Sequence, residues 1–294
     1  MAGQQILDSL LMEFNALQVR EILLAREGLK VSRTLVQPEY LAMICALLEK
    51  MGLYIAIHDK KYIYETDAGK GGWVSRYGFE ESLEANHGAC MIYVGIRPED
   101  VLAAKNYEHS QNDCGLGESL GIPGCCVKMY IDSIERAEQK QNDYLEFTLA
   151  NTRSEYPHNH WNNIAAQYFG YGLLSHYPCS FDCIPSADLA QKIHQILADY
   201  SRKFADMFLR YHQKNYIYTE FDGIFCLSGS TFEGGSIYYD PSKIEVTLDS
   251  VLASVLRSGN HIRVKGKHHF QVLNEKAQQV AEFEHPDISL LIFD

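Results

Sequence analysis

Apolar residues recur at helical spacing from residue 4 to residue 27, at Ile6, Leu10, Phe14, Leu17, Ile22 and Leu24 among others. The spacing predicts one packing helix that ends near Gly28. Pro38 opens a second helix running through Leu48 and closed by Gly52. Two short strands follow, Leu53–Ile57 and Tyr62–Tyr64, with His58-Asp59-Lys60-Lys61 as a hairpin-like turn. The run Ala89–Ile96 reads as a buried strand, and Pro98-Glu99-Asp100 starts a helix with acid in its first turn. Further helices are predicted: a short one at Gly115-Leu116-Gly117, one opened by the first cysteine motif and running to about Gln139, and one from Pro178 to about Tyr211. Between the last two lies a polar loop, 151–163. After Asn215 the period shortens to two, in alternating runs from Ile217 to Phe293 separated by Gly, Asp and Asn. The expected fold is therefore α+β: a helical and mixed body over 1–214, then a small antiparallel β region over 215–294.

Charge narrows the function. The 294-residue chain has a formal charge of −12 and no Lys/Arg run, which argues against nucleic acid or an anionic membrane as partner. The beginning lacks the basic and apolar regions of a signal peptide, and no stretch is long and apolar enough to span a bilayer. A cytoplasmic location is the expectation, with a small molecule or peptide as substrate. Eight cysteines in that compartment read as buried thiols, metal ligands or reactive thiolates before disulfides. The 19 tyrosines suit a polar-lined cleft.

Two stretches concentrate the chemistry: Leu120-Gly121-Ile122-Pro123-Gly124-Cys125-Cys126 and His176-Tyr177-Pro178-Cys179-Ser180-Phe181-Asp182-Cys183. Each is predicted to run into a helix. A thiolate at a helix start meets unpaired backbone N–H groups and the positive end of the helix dipole, and both favour the anion. Cys179 and Cys183, four apart, are expected on one helical face, with His176 in the preceding turn as a nitrogen donor. Adjacent cysteines diverge on a helix, so at most one of Cys125 and Cys126 is expected to face a shared ion. If the two corners meet, Cys125, Cys126, Cys179, Cys183 and His176 would make a metal or iron–sulfur site.

The stretches Gly117–Val127 (Gly-x-x-Leu-Gly-Ile-Pro-x-Cys-Cys-Val) and His176–Ser186 (His-x-Pro-Cys-Ser-x-Asp-Cys-x-x-Ser) resemble two signatures of an uncharacterised prokaryotic family, the domain-of-unknown-function family numbered 483. The resemblance spans about residues 90–240, including Met91–Gly95 and Asn162-Asn163. It departs at Ile122, where the family usually has an aromatic residue, and at Gly124, where it has an acidic or small one. It implies that the two motifs act together and brings no activity with it.

Three readings stay open. In the first, the cysteine and histidine site binds a metal or cluster in an enzyme or maturation factor. In the second, a metal-free enzyme uses Cys125 or Cys179 as nucleophile, His176 as base and Asp182 as its orienter. In the third, the cysteines only pack a core and the chain is a binding module. Glu155, His158 and His160 offer a second ligand set, although a polar surface loop explains them more simply. Cys45, Cys90 and Cys226 lie in apolar runs and read as core, which leaves Cys114 as the other cysteine of interest. The Gly-rich Ala68–Gly72 lacks Walker spacing, and no nucleophile elbow, dinucleotide fingerprint or His-Glu-x-x-His pattern is present.

Overall fold

The computed structural model describes residues 3–66, 72–80, 88–139 and 143–294. The fold is α+β with antiparallel sheets, as the hydrophobic pattern predicts. The glycine-rich residues 68–71 lie outside the described residues.

The amino-terminal pattern is two helices, not one: α1 (Gly3–Leu11) and α2 (Ala16–Arg26). Asn15 separates them with a reciprocal cap. Its Oδ1 accepts the Gln18 N–H at 3.0 Å, and the Gln18 side chain accepts the Asn15 N–H at 3.3 Å. The apolar period runs on across the break because both helices bury the same side against one core. β1 (Ser32–Val36) and α3 (Pro38–Lys50) follow. Next come β2 (Tyr54–Thr66), β3 (Gly72–Glu80) and β4 (Ala89–Gly95), giving a sheet ordered β1-β4-β2-β3. The expected turn at His58–Lys61 is instead a shift of register within the single strand β2. His58 is buried there, edge-on to Tyr62, and its Nδ1 accepts the Lys60 N–H. β4 is buried along its whole length, which is why it reads as an unbroken apolar run.

Helices α4 (Pro98–His109), α5 (Asp113–Ser119), α6 (Gly124–Glu138) and α7 (Leu145–Asn151) lead to two 3-10 turns, His160–Asn162 and Ile164–Phe169. The single long helix expected next is two, α8 (Ile184–Tyr200) and α9 (Arg202–His212), parted by extended Ser201. The two pack on each other.

The remainder forms two antiparallel sheets rather than one. β5 (Asn215–Thr219), β6 (Ile224–Leu227), β9 (Ile244–Val246) and β13 (Ile288–Leu291) are ordered β13-β5-β6-β9. β7 (Thr231–Glu233), β8 (Ser236–Tyr238), β10 (His261–Gly266), β11 (His269–Leu273) and β12 (Gln279–Glu284) are ordered β12-β11-β10-β8-β7. A further helix, α10 (Val251–Ser258), was not expected from the alternating pattern; Ser250 caps it. One face of β5 and β6, with Tyr216, Tyr218 and Cys226, joins the helical core, while Ile217, Phe225 and Leu227 face the second sheet's core. Burial on both faces accounts for the dense apolar reading of these strands.

Candidate metal centre

The first cysteine stretch is two helix ends back to back. Gly121 takes a left-handed backbone (φ +67°) and closes α5, with the Ile122 N–H on the Gly117 carbonyl at 2.9 Å. Pro123 then leads into α6, placing Cys125 and Cys126 in its first turn. A Cβ at Gly117 would sit 2.6 Å from Val127 Cγ2, so glycine lets α5 close on α6 just behind the cysteines.

The second stretch is not helical until Cys183, the N-cap of α8. The polypeptide before it is shaped by buried hydrogen bonds. Asn162 Nδ2 donates to the carbonyls of Phe181 (2.9 Å) and Cys183 (3.0 Å). Thr152 Oγ1 accepts the Phe181 N–H, and Thr148 Oγ1 donates to the Pro178 carbonyl. Cys179 and Cys183 therefore meet because a loop curls back over the start of α6. Shared helical phase has no part in it.

The two stretches come together. Cys125, Cys126, Cys179 and Cys183 place their sulfurs within 4.8 Å of one another, and among the described residues this is the one group of ligand-type side chains so arranged. Cys125 to Cys126 is 3.8 Å, and each lies 3.7 Å from Cys183. Both neighbours in the Cys125-Cys126 pair join the group, contrary to expectation. The loop wraps the end of α6, so it meets a buried Cys126 and a rim-exposed Cys125 together. These four cysteines can hold a metal ion.

His176 stands one hydroxyl away. Its Nε2 is 3.0 Å from Ser186 Oγ, which in turn is 3.2 Å from Cys126 Sγ. The sulfur group is complete without it. Burial, with Lys30 and Arg20 nearby, pushes the His176 ring down to about 3, so it is neutral. Asp182 does not orient His176. Its carboxylate accepts the N–H groups of Arg153 (2.8 Å) and Ser154 (3.1 Å) and ties the preceding loop. A triad of cysteine, His176 and Asp182 is thus not assembled.

The sulfurs share protons unequally. The Cys183 thiol is drawn down to about 4, chiefly by its contact with Cys126 and also by the Ser186 hydroxyl and amide in the first turn of α8. Cys126 is raised, above all because Cys183 takes the anionic role, and burial lifts Cys179 to about 12. Cys126 Sγ also accepts the Cys179 N–H at 3.2 Å. A bound cation would reverse the upward shifts, since thiolates are its ligands.

The other sequence candidates are dispersed. Buried His158 stacks on Phe181, with Nδ1 on Ser154 Oγ. His160 instead pairs with Asp294 at 2.7 Å. Cys90 and Cys226 are buried, Cys45 is half-buried and Cys114 is exposed.

Residues without a distinctive motif complete the surroundings. Glu21 joins Arg20 (2.7 Å) to Lys30 (2.6 Å), and Arg20 and Lys30 then bond the Leu174 carbonyl and Ser175 Oγ just ahead of His176. Burial alone would raise Glu21, but Lys30 and Arg20 hold its carboxyl low; burial also depresses Lys30. Glu108 accepts from Arg33 Nε (2.7 Å), Arg33 Nη2, Tyr62 (2.8 Å) and Tyr93 (2.5 Å). Against the upward pull of burial, Arg33 and the tyrosines keep its carboxyl at about 2. A cleft of about 890 Å³ is lined by Arg20 and Glu21 of the first network, by Arg33, Tyr62 and Glu108 of the second, and by Cys126 and His176. In the sequence these charges look like ordinary surface positions; only their burial marks them.

Among the described residues no helix is long and apolar enough to cross a membrane. No family model, no curated protein and no solved structure matches the chain, so the geometry carries the functional reading.

Proposed function

We propose that Cys125, Cys126, Cys179 and Cys183 bind one metal ion in tetrahedral thiolate coordination, zinc first, and that this centre fixes the floor of a small-molecule cleft. The supporting observation is the sulfur spacing. A tetrahedron with metal–sulfur bonds of about 2.3 Å has edges of about 3.8 Å; the three edges among Cys125, Cys126 and Cys183 are 3.7 and 3.8 Å, and the Cys179 sulfur lies within 4.8 Å of each. In a four-iron cubane each thiolate binds a different iron, and the sulfurs stand about 6 Å apart. The 4.8 Å limit on this group therefore favours a single ion over a cluster. Four thiolates and no water also describe a closed site, the pattern of zinc that holds structure rather than zinc that activates water.

On this reading the catalytic chemistry, if the chain is an enzyme, belongs to the cleft and not to an open metal position. The family resemblance is consistent with it, since both signatures contribute two ligands each, and membership of that family is proposed on the same motifs. The test is elemental analysis with an absorption spectrum on protein purified without oxygen. One zinc per chain, replaced by cobalt with tetrahedral thiolate bands, is the expected result. Several irons with sulfide would overturn the single-ion reading, and a folded, metal-free chain that takes up no zinc would overturn the site itself.

A further inference from the structure

From the sulfur group we infer a peroxide-sensitive switch, in which oxidation joins Cys125 to Cys183 as a disulfide, opens the metal centre and releases its ion. The release of the ion rests on the zinc reading above, whereas the pairing of the two sulfurs rests on their placement alone. Entry is at Cys125. It is the exposed member of the group, while Cys179 is half-buried and Cys126 and Cys183 are buried. The approach is open as well, since a Cβ at the preceding Gly124 would meet no atom of another element within 4 Å. An accessible thiolate beside a second cysteine is the arrangement in which oxidation runs on to a disulfide.

Geometry selects the partner. Cys126 Sγ stands 3.8 Å and Cys183 Sγ 3.7 Å from Cys125 Sγ. Cys126 is the next residue, with its Cα about 3.8 Å away across the trans peptide, short of the roughly 4.4–6.8 Å that a disulfide ordinarily spans. Its sulfur is also held by the Cys179 N–H and the Ser186 hydroxyl, each at 3.2 Å. Cys183 lies on a different element, as the N-cap of α8, and carries no such adjacency. The Cys125 thiolate attacks one oxygen of hydrogen peroxide; the O–O bond breaks, the leaving hydroxide is protonated to water, and a sulfenic acid remains. The Cys183 thiolate then attacks that sulfur; the S–S bond forms, the S–O bond breaks, and a second water leaves on protonation. Two thiolates, one peroxide and two protons thus give one disulfide and two waters, the peroxide gaining the two electrons that the sulfurs lose. Zinc keeps only Cys126 and Cys179, too few for a closed site. The change reaches the cleft, because Cys126 lines it.

The test treats the zinc-loaded chain, purified under reduction, with hydrogen peroxide and follows released zinc with a chromogenic chelator. Differential alkylation and mass spectrometry map the disulfides in order of appearance. One zinc released per disulfide is expected, with Cys125–Cys183 the first link and zinc uptake restored by dithiothreitol. Cys125→His keeps a fourth ligand but removes the entry thiol, and its release is expected to be at least tenfold slower. Should that variant not hold zinc, the order of disulfides in the unaltered chain decides alone. Any first disulfide other than Cys125–Cys183, or equally fast release from zinc-loaded Cys125→His, would overturn the switch. Zinc content before treatment separates the two readings: a chain without zinc sinks the metal centre and the ion release together, whereas zinc held through excess peroxide sinks the switch alone.

Discussion

Ser186→Ala removes one oxygen that His176, Cys126 and Cys183 all use. Ser186 is fully buried, and its Oγ joins His176 Nε2 to Cys126 Sγ. With a thiolate at Cys126 the hydroxyl donates to sulfur, so His176 must carry its proton on Nε2 and donate to Ser186. In the variant the His176 N–H is left buried without an acceptor, which costs about 1–3 kcal/mol of folding stability. Cys126 keeps only the Cys179 N–H. Partners of this kind around a ligand are worth about 10–100-fold in metal affinity, or about 1.4–2.8 kcal/mol. Zinc affinity measured by competition with a chelator, paired with urea unfolding of the metal-loaded and metal-free chain, reads the two effects separately. The expectation is a weaker zinc site beyond the general loss of stability, with one zinc still bound per chain. An unchanged affinity would refute the role of Ser186 as the group that positions Cys126, and a lost zinc at saturating metal would mean the ligand set has been misidentified.

Other consequences follow from the same geometry. His176→Gln, which retains a donor toward Ser186, is expected to bind one zinc per chain; loss of the ion on elemental analysis would restore His176 as a ligand. Asp182→Ala frees the amides of Arg153 and Ser154 and is expected to cost about 0.5–2 kcal/mol in urea unfolding, the range of a lost cap, with zinc content unchanged. The Glu108 carboxyl titrates at about 2 when folded against an ordinary 4.5. Its contribution is therefore complete above pH 4.5 and is lost as pH falls toward 2, with about 2 kcal/mol gone by pH 3. Glu108→Gln is expected to flatten the acid limb of the stability curve by that amount, and parallel curves for the two proteins would contradict the buried ion pair.

The sequence by itself determined the type of structure and the residues worth watching. Periodicity of 3.6 and then of 2 is a local consequence of which face is buried, so α+β and the antiparallel carboxy-terminal region were legible. So were the two cysteine stretches, because Gly121 and Pro123 announce where one helix stops and the next begins. Helix breaks at Asn15 and Ser201 were not, since helices that bury the same side against one core keep the apolar rhythm running; the Asn15…Gln18 box was the one available signal. The tertiary structure alone decided which atoms meet. The second stretch reaches α6 through hydrogen bonds from Asn162, Thr148 and Thr152 to its backbone, and no spacing rule encodes such long-range contacts. They bring Cys125 and Cys126 into one group, interpose Ser186 before His176 and assign Asp182 to the loop. Burial, likewise a property of the whole fold, turned Arg33 and Glu108 from unremarkable charges into the wall of a cleft.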